Sequence, residues 1–197
     1  MQFRQVRKDD RGVSTDWLRD ERALAAAERI LDAAGRCFAE RGVGATGMAD
    51  VARAAGCSRA TLYRYFATRD ELRLAFVHRE ARRIGRRVLA DVEGIEDPGE
   101  RTVAAVTSAL RQVRSDPTLA AWFTSGDAGL AAALGHGSDV IHGLAAAFFG
   151  PSDEAGAGGR SAWLVRVILS LLTVPGADDA EERDLLERFV APAVVSG

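Results

Sequence analysis

Apolar residues recur at spacings of three and four along most of this 197-residue chain, and this periodicity constrains its fold more than any other feature. Ala27, Leu31, Ala34 and Phe38, for example, follow a 4-3-4 spacing that places them on one face of a helix. No segment of any length alternates with the period of two that a half-buried strand requires. The sequence therefore predicts an all-α protein with almost no strand.

The ends of the predicted helices follow from glycine, proline and capping residues. Gly42 and Gly44 end the first helix, and Gly56 ends the second. Thr68 begins the fourth helix with a glutamate three residues later, which is a capping box, and Pro117 follows the end of the fifth. The predicted helices cover residues 21–41, 48–55, 58–66, 68–92, 103–114, 128–149, 160–174 and 179–195, with a loop over 150–159.

The two halves of the chain carry opposite charge. Residues 1–90 hold 19 of the 26 basic residues and 12 of the 28 acidic ones, whereas residues 91–197 hold 7 basic and 16 acidic residues. A basic half joined to an acidic half suggests that the N-terminal part meets a polyanion and the C-terminal part does not. Chance fluctuation of charge along the chain is the alternative interpretation.

The cysteines and the lengths of the apolar runs argue against several other classes of protein. Cys37 and Cys57 show no CxxC spacing and belong to no metal-ligand cluster, so we interpret them as reduced, small apolar residues. No run approaches the ~18–20 apolar residues of a membrane span, and the N-terminal residues are charged rather than signal-like. We expect a soluble, cytoplasmic protein without a metal or a cofactor.

The segment from Thr46 to Leu72 carries the functional signal. It reads as a short helix, a tight turn at Gly56, a second short helix and the capped start of a third. Two helices joined by about three residues that include a glycine form a helix-turn-helix, whose second helix enters the major groove of DNA. This arrangement and the basic N-terminal half both predict a protein that binds double-stranded DNA.

The second helix of this unit, residues 58–66, has two chemically different sides. Leu62 and Phe66 are four residues apart and are predicted to face the protein core. The other side suits DNA, because an arginine can donate two hydrogen bonds to guanine and a tyrosine hydroxyl can donate to phosphate. The residues on or near that outward side are Arg59, Ala60, Thr61, Tyr63 and Arg64.

Residues 58–72, SRATLYRYFATRDEL, resemble the signature of the TetR family of transcriptional regulators, and the resemblance extends over roughly residues 28–76. It implies an all-helical homodimer that represses transcription from a palindromic operator and is released by a small apolar ligand. The resemblance implies DNA contacts from Thr46, Gly47, Ser58, Arg59, Ala60, Thr61, Tyr63, Arg64, Tyr65 and Arg69.

Two positions depart from the pattern of that family. The smaller departure is Cys57, which stands where the turn usually carries a valine. Gly47 stands where a second threonine usually caps the second helix and touches phosphate, so its hydroxyl is missing and Thr46 is expected to take over in part. Other interpretations stay open for three residues: Tyr63 and Tyr65 as core aromatics, and Arg64 as a solvated surface arginine.

The resemblance also implies three parts of the chain: an N-terminal arm over residues 1–20, a helix-turn-helix DNA-binding domain over 21–67, and a helical effector-binding and dimerisation domain over 68–197. In the family, the last two helices form the dimer interface. The bulky groups of the C-terminal half are candidates for effector contacts, with ordinary core packing as the alternative. These candidates are Trp122, Phe123, His136, Phe148 and Trp163.

Two other functions are alternatives to a ligand-released regulator. An enzyme is the first, since Ser138, Asp139 and His142 lie close in sequence, but no GxSxG turn surrounds the serine. An architectural DNA-binding protein without an effector is the second, and its binding would protect DNA diffusely rather than at a single palindrome. We predict a regulator without catalytic activity.

Overall fold

The computed structural model describes residues 13–124, 126–149 and 157–195, and these residues form helices without any strand. The all-α prediction is therefore confirmed. A 3-10 turn, Ala121–Phe123, follows α6, and a π-helical turn, Leu186–Val190, joins α10 to α11. The α-helices are α1 (Val13–Arg41), α2 (Met48–Ala54), α3 (Arg59–Tyr65), α4 (Arg69–Asp91), α5 (Pro98–Ser115), α6 (Pro117–Ala120), α7 (Ala128–His136), α8 (Asp139–Phe149), α9 (Ala157–Thr173), α10 (Asp179–Leu185) and α11 (Ala191–Val195).

Helices α1–α3 and the start of α4 share one hydrophobic core. Phe38 of α1, Val51 of α2, Leu62 of α3 and Phe76 of α4 are all fully buried in it. Burial of each such side chain contributes about 1.5–3 kcal/mol, so these contacts hold the short helices α2 and α3 in place.

The C-terminal half has a second core between α5, α9 and the last helices. Its buried members are mostly aliphatic, and α8 packs against both α4 and α9. Helix α4 extends across both halves of the chain, because it contacts α1 in the N-terminal core and α5 and α8 in the C-terminal half. Among the buried residues of this second core are Val106, Leu110, Leu164, Leu186 and Val190.

The largest difference from the sequence prediction lies in residues 128–149. One helix is predicted there, but the structure has two, α7 and α8, separated at Gly137 and Ser138. The Ser138 hydroxyl accepts a hydrogen bond from the amide of Ile141, so it begins a new helix as an N-cap. Gly137 therefore marks a break rather than a weakened point in one helix, whereas Gly135 lies within α7.

Three helix starts also differ from the prediction, and one of them is α9, which begins at Ala157 inside the predicted loop over 150–159. Helix α1 begins at Val13, inside the segment assigned to the arm, while residues 1–12 of that segment lie outside the described residues. Helix α5 begins at Pro98, because the Asp97 carboxylate accepts a hydrogen bond from the Glu100 amide at 2.7 Å and caps it. None of the helices in the described ranges is long and apolar enough to cross a membrane.

An ion pair fastens α5 to α10. Glu182 accepts hydrogen bonds from both terminal nitrogens of Arg114, at 2.7 and 2.8 Å, and from the amide of Gly176 at 2.9 Å. Arg114 also donates to the carbonyl of Leu171 in α9 at 2.9 Å. The hydrogen bonds from Arg114 hold the pKa of the Glu182 carboxyl below its ordinary value, because they favour the charged form.

We expect Glu182→Gln to lower the free energy of unfolding by about 1.5–3 kcal/mol at pH 7, since charge-assisted hydrogen bonds from Arg114 are lost. Because the folded-state pKa of Glu182 is lowered, its stabilisation is complete above the ordinary value of 4.5 and is lost as the pH falls through the lowered pKa. Urea unfolding of both proteins over this pH range is the measurement.

The matched control for this ion pair is Glu187→Gln. Glu187 forms an exposed i,i+4 pair with Arg183, so its replacement should change the free energy of unfolding by less than about 0.5 kcal/mol. A stability loss in Glu182→Gln that does not shrink below about pH 4.5 would contradict the assigned role of the Glu182 charge.

Candidate DNA-binding surface and apolar cavity

The turn between α2 and α3 is closed by a glycine in the left-handed conformation. Gly56 has a φ of +67°, a value that residues with side chains rarely adopt. The amide of Cys57 donates to the carbonyl of Ala52 at 3.0 Å, and Ser58 follows in an extended conformation before α3 begins at Arg59. The predicted helix-turn-helix is therefore present, with α2 and α3 as its two helices.

Ser58 caps the N-terminus of α3. Its hydroxyl accepts a hydrogen bond from the amide of Thr61 at 3.0 Å and lies 2.8 Å from the Thr61 hydroxyl. Both side chains are thus held in position at the end of α3 that a recognition helix presents to base edges.

The two sides of α3 differ in exposure. Leu62 is fully buried, and Phe66, which follows the helix, is buried as well. Tyr63 is 43% exposed although it is a large residue, so it does not belong to the core. The outer side therefore presents two guanidinium groups and a phenol hydroxyl. The exposed residues are Arg59, Ala60, Tyr63 and Arg64.

Tyr65 differs from Tyr63 because it packs partly against the N-terminal core. The guanidinium of Arg64 lies over its ring, 5.4 Å from the ring centre. This cation–π contact restrains Arg64 on the surface of the helix and reduces the entropy that a contact to DNA would cost.

Thr46 is predicted as a DNA contact, but the structure buries it. Its hydroxyl hydrogen-bonds to the carbonyls of Gly42 at 2.8 Å and Cys37 at 3.1 Å. Thr46 therefore stabilises the connection after α1 and does not supply the surface hydroxyl that Gly47 lacks. The cap of α2 is completed by Asp50, whose carboxylate accepts from the amide of Gly47 at 3.2 Å.

Two arginines of α4 hold the loop between α1 and α2. Arg69 is exposed and donates to the carbonyl of Gly44 at 3.3 Å. Arg73, which the sequence did not single out, is buried and donates to the carbonyl of Val43 at 2.8 Å. Arg73 also pairs with the carboxylate of Asp70 at 3.2 Å.

Asp127 ties the same loop to the C-terminal half. Its carboxylate accepts hydrogen bonds from the amides of Val43 and Gly44, both at 2.8 Å. Asp127 directly precedes α7, so the start of that helix is coupled to the DNA-binding unit. The bonded residues are 83 and 84 positions apart, a separation at which helical periodicity provides no signal.

An apolar cavity of about 250 Å³ lies in the C-terminal half, with walls from α4, α5, α8 and α9. It exceeds the ~150 Å³ of an apolar cavity that holds benzene, so it has room for a small organic molecule. The predicted effector contacts Trp122, Phe123 and Phe148 line it. Lining residues that the sequence did not single out include Val77, Ala81, Ile84, Val106, Ala109, Leu144, Leu164 and Ile168.

Two predicted effector contacts, His136 and Trp163, are not among the residues that line the cavity. His136 lies at the exposed end of α7, where its Nδ1 is 2.8 Å from the carbonyl of Ala132. Trp163 lies on α9, and its side chain is 43% exposed. Aromatic character identified bulky residues, but the packing of the helices decides which of them face the cavity.

Phe38, Phe76 and Trp122 form an aromatic cluster that joins the two halves. The ring of Phe38 meets those of Phe76 and Trp122 edge to face at 5.2 and 5.3 Å, and the rings of Phe76 and Trp122 stack at 6.0 Å. Phe38 belongs to α1, whereas Phe76 and Trp122 line the cavity. The cavity wall is therefore in direct contact with the helix behind α2 and α3.

The residues considered as a catalytic set have other partners. The Ser138 hydroxyl is buried and lies 2.9 Å from Nε2 of His78, and Nε2 of His142 lies 3.0 Å from the carbonyl of His136. Burial, and then the positive charge of Arg82, lowers the pKa of His78. Among the described residues, no group of histidine, cysteine, aspartate or glutamate side chains could hold a metal ion.

Comparison with known proteins identifies relatives across nearly the whole chain. A family model described as bacterial regulatory proteins, tetR family, matches residues 30–76, which include α2 and α3. An uncharacterized HTH-type transcriptional regulator from Mycobacterium tuberculosis strain H37Rv is 48% identical over 185 residues, covering 92% of each chain.

Solved structures with the same fold have lower sequence identity. The TetR family repressor AlkX from Dietzia sp. strain DQ12-45-1b, implicated in biodegradation of n-alkanes, has a TM-score of 0.65 and 22% identity, covering 85% of this chain and 97% of that chain. The transcriptional regulator FadR from Bacillus subtilis, in complex with stearoyl-CoA, has a TM-score of 0.61 and 15% identity, covering 83% and 98%.

Proposed function

Because the chain belongs to the TetR family of bacterial transcriptional regulators, we propose that it is a repressor whose dimer leaves a palindromic operator when a small apolar molecule fills the cavity. A regulator that binds chromosomal DNA acts in the cytoplasm. The Bacillus subtilis FadR structure contains stearoyl-CoA, which supports an effector site in this fold. Stearoyl-CoA itself is the ligand of that protein and is not assigned to this chain.

The outer side of α3 is the observation that carries the DNA-binding part of the proposal. Arg59 and Arg64 can each donate to guanine in the major groove, while the buried Leu62 anchors the helix from behind. We infer groove contacts from the outer side and phosphate contacts near its ends. The residues assigned to these contacts are Ser58, Arg59, Ala60, Thr61, Tyr63, Arg64, Tyr65 and Arg69, with Gly47 at the start of α2 as a further phosphate contact.

The last helices supply the dimer interface in this proposal. Trp163 of α9 and Leu185 and Phe189 near the C-terminus are exposed, and Phe189 is 68% exposed. Large apolar side chains that remain exposed favour association. A two-fold dimer through α9 and the segment from α10 to α11 would present two α3 helices to successive major grooves, about 34 Å apart.

The effector acts through α4 in this proposal. Phe76 of α4 lines the cavity and contacts α1, and Asp127 holds the loop between α1 and α2 from the start of α7. An effector shifts the equilibrium only if it binds the two states unequally. Filling of the cavity would displace α4 from α5 and α8 and change the separation of the two α3 helices.

Selection of bound duplexes from a random pool, followed by footprinting, tests the operator. We expect one palindrome with half-sites about one helical turn apart, because a two-fold dimer binds two equivalent sequences. Diffuse protection without a palindrome would contradict the proposal and support the architectural alternative.

Ala109→Leu tests the cavity as the effector site. Ala109 lines the cavity, so a larger side chain there occupies the space that an effector needs. A thermal-shift screen of small apolar compounds should find binders that raise the melting temperature of the wild type and release its DNA. Ala109→Leu should keep DNA binding and lose both responses, whereas Ala39→Leu, on the exposed surface of α1, should keep them. Release that persists in Ala109→Leu would contradict this assignment.

A further inference from the structure

One carboxylate interrupts the apolar wall of the cavity. Glu80 of α4 is the only charged side chain among the described residues that line the cavity, and it is 3% exposed. Its Oε2 is shielded from solvent and accepts no hydrogen bond from any described residue. A buried acceptor without a donor is unfavourable, so a ligand that supplies a donor to Oε2, after a rotation of the side chain toward the cavity, gains affinity.

The protein already balances the charge of Glu80. Its Oε1 accepts a hydrogen bond from Nε of Arg79 at 2.9 Å. Its Oε2 lies 3.5 Å from Nη1 of Arg83, which is close enough for an ion pair but longer than a good hydrogen bond. Oε2 therefore lacks a hydrogen-bond donor, although the carboxylate has compensating cations.

Trp122 offers the complementary group at the same cavity. Its Nε1 is buried and donates no hydrogen bond within the described part of the chain. An indole N–H is a donor only, and a carboxylate is an acceptor only. A hydroxyl can both donate and accept, so it is the simplest neutral group that matches either Glu80 or Trp122.

We propose that the cavity selects a neutral, largely apolar molecule with one hydroxyl group, an alcohol or a phenol, which donates a hydrogen bond to Glu80. The inference rests on the proposed function for the effector role of that molecule. A carboxylate would place a second negative charge beside Glu80 in surroundings of low dielectric. An ammonium would lose its hydration on entering the apolar cavity, while Arg79 already pairs with the Glu80 carboxylate.

Glu80 also connects the ligand to the DNA-binding unit. Arg79, which donates to Oε1, pairs with Glu28 at 3.0 Å and with Asp32 at 2.8 Å, both on α1. A hydroxyl bound at Glu80 is therefore separated from α1 by a single arginine. This arrangement provides a route by which the ligand contact alters the packing of α4 on α1.

Isomeric ligand pairs test the donor without changing the protein. Isothermal titration calorimetry of the full chain would compare octan-1-ol with heptyl methyl ether, and 4-propylphenol with 4-ethylanisole. At least one hydroxyl compound should bind about 10- to 100-fold more tightly than its ether isomer, and octanoate and octylammonium should bind at least about 10-fold more weakly than octan-1-ol. If neither hydroxyl compound binds, or if the ethers or octanoate bind as tightly, the proposal is overturned.

Two variants locate the contact. Glu80→Met keeps the length of the side chain and removes the acceptor, so the preference for the hydroxyl compound should fall to less than about 3-fold. Glu28→Gln is the matched control, because it breaks another ion pair of Arg79 on α1, and it should keep the preference. Trp122→Phe removes the indole donor but keeps an aromatic ring, and it should reduce the preference even if Glu80→Met does not fold. A preference that is unchanged in Trp122→Phe and in any folded Glu80→Met overturns the assignment.

DNA release separates this inference from the proposed function. If a hydroxyl compound binds with the expected preference but leaves DNA binding unchanged, the proposed ligand class is supported and its role as an effector is contradicted. If another compound releases DNA from the wild type but not from Ala109→Leu, while no hydroxyl compound binds, the ligand class is overturned and the proposed function stands.

Discussion

Replacement of both Arg59 and Arg64 by alanine is expected to abolish specific DNA binding. Each arginine in a base contact contributes about 1–3 kcal/mol, and a dimer carries two copies of each. Four lost contacts therefore weaken binding by at least about 4 kcal/mol, roughly a thousand-fold. Both side chains are exposed on α3, so the fold should be unaffected.

Fluorescence anisotropy with the selected palindrome measures this loss, and circular dichroism verifies that the variant is folded. The matched control is the double variant Arg36→Ala and Arg53→Ala, which removes two exposed arginines of α1 and α2. The control should change affinity by less than about ten-fold, chiefly through the overall charge. Intact specific binding by the Arg59 and Arg64 variant would refute the assignment of α3 as the recognition helix.

A second large effect is expected for Phe76→Ala. Phe76 is fully buried, touches the rings of Phe38 and Trp122, and lines the cavity. Truncation of a buried phenylalanine costs about 3–5 kcal/mol, because it removes apolar contacts and leaves a void that the surroundings fill incompletely. Here the void would also join the existing cavity.

Urea unfolding of wild type and Phe76→Ala measures this loss in the free energy of unfolding. Leu24→Ala is the surface control, since Leu24 is an exposed apolar residue of α1, and it should change the free energy by less than about 0.5 kcal/mol. A cost below about 1.5 kcal/mol for Phe76→Ala would mean that the aromatic cluster does not join the two halves as the structure indicates.

The helix-turn-helix could be predicted from the sequence because its determinants are local. Gly56 ends α2, Ser58 caps α3, and Leu62 and Phe66 define its buried side within a few residues of one another. Helical periodicity likewise predicted an all-α fold. The length of α1 and the break between α7 and α8 were missed, because polar residues and paired glycines are compatible with either a helix or a loop.

The cavity and its polar groups could not be predicted from the sequence. Trp122 and Trp163 look equivalent as bulky aromatics, yet only Trp122 lines the cavity. Glu80 is four residues from both Phe76 and Ile84 on the apolar face of α4, but a charged residue is rarely buried, so its type alone predicts a solvated position. Thr46 looks like a surface cap, but the carbonyls of its own loop occupy its hydroxyl.

The sequence by itself determined which segments are helical and which side of α3 is free for DNA, because both depend on interactions within one or two turns of helix. The tertiary structure decided which helix faces enclose the cavity, and it brought Asp127 to the amides of Val43 and Gly44. Contacts of this second kind join residues that are far apart in the chain. Their geometry depends on how whole helices pack, and no local pattern of residues encodes it.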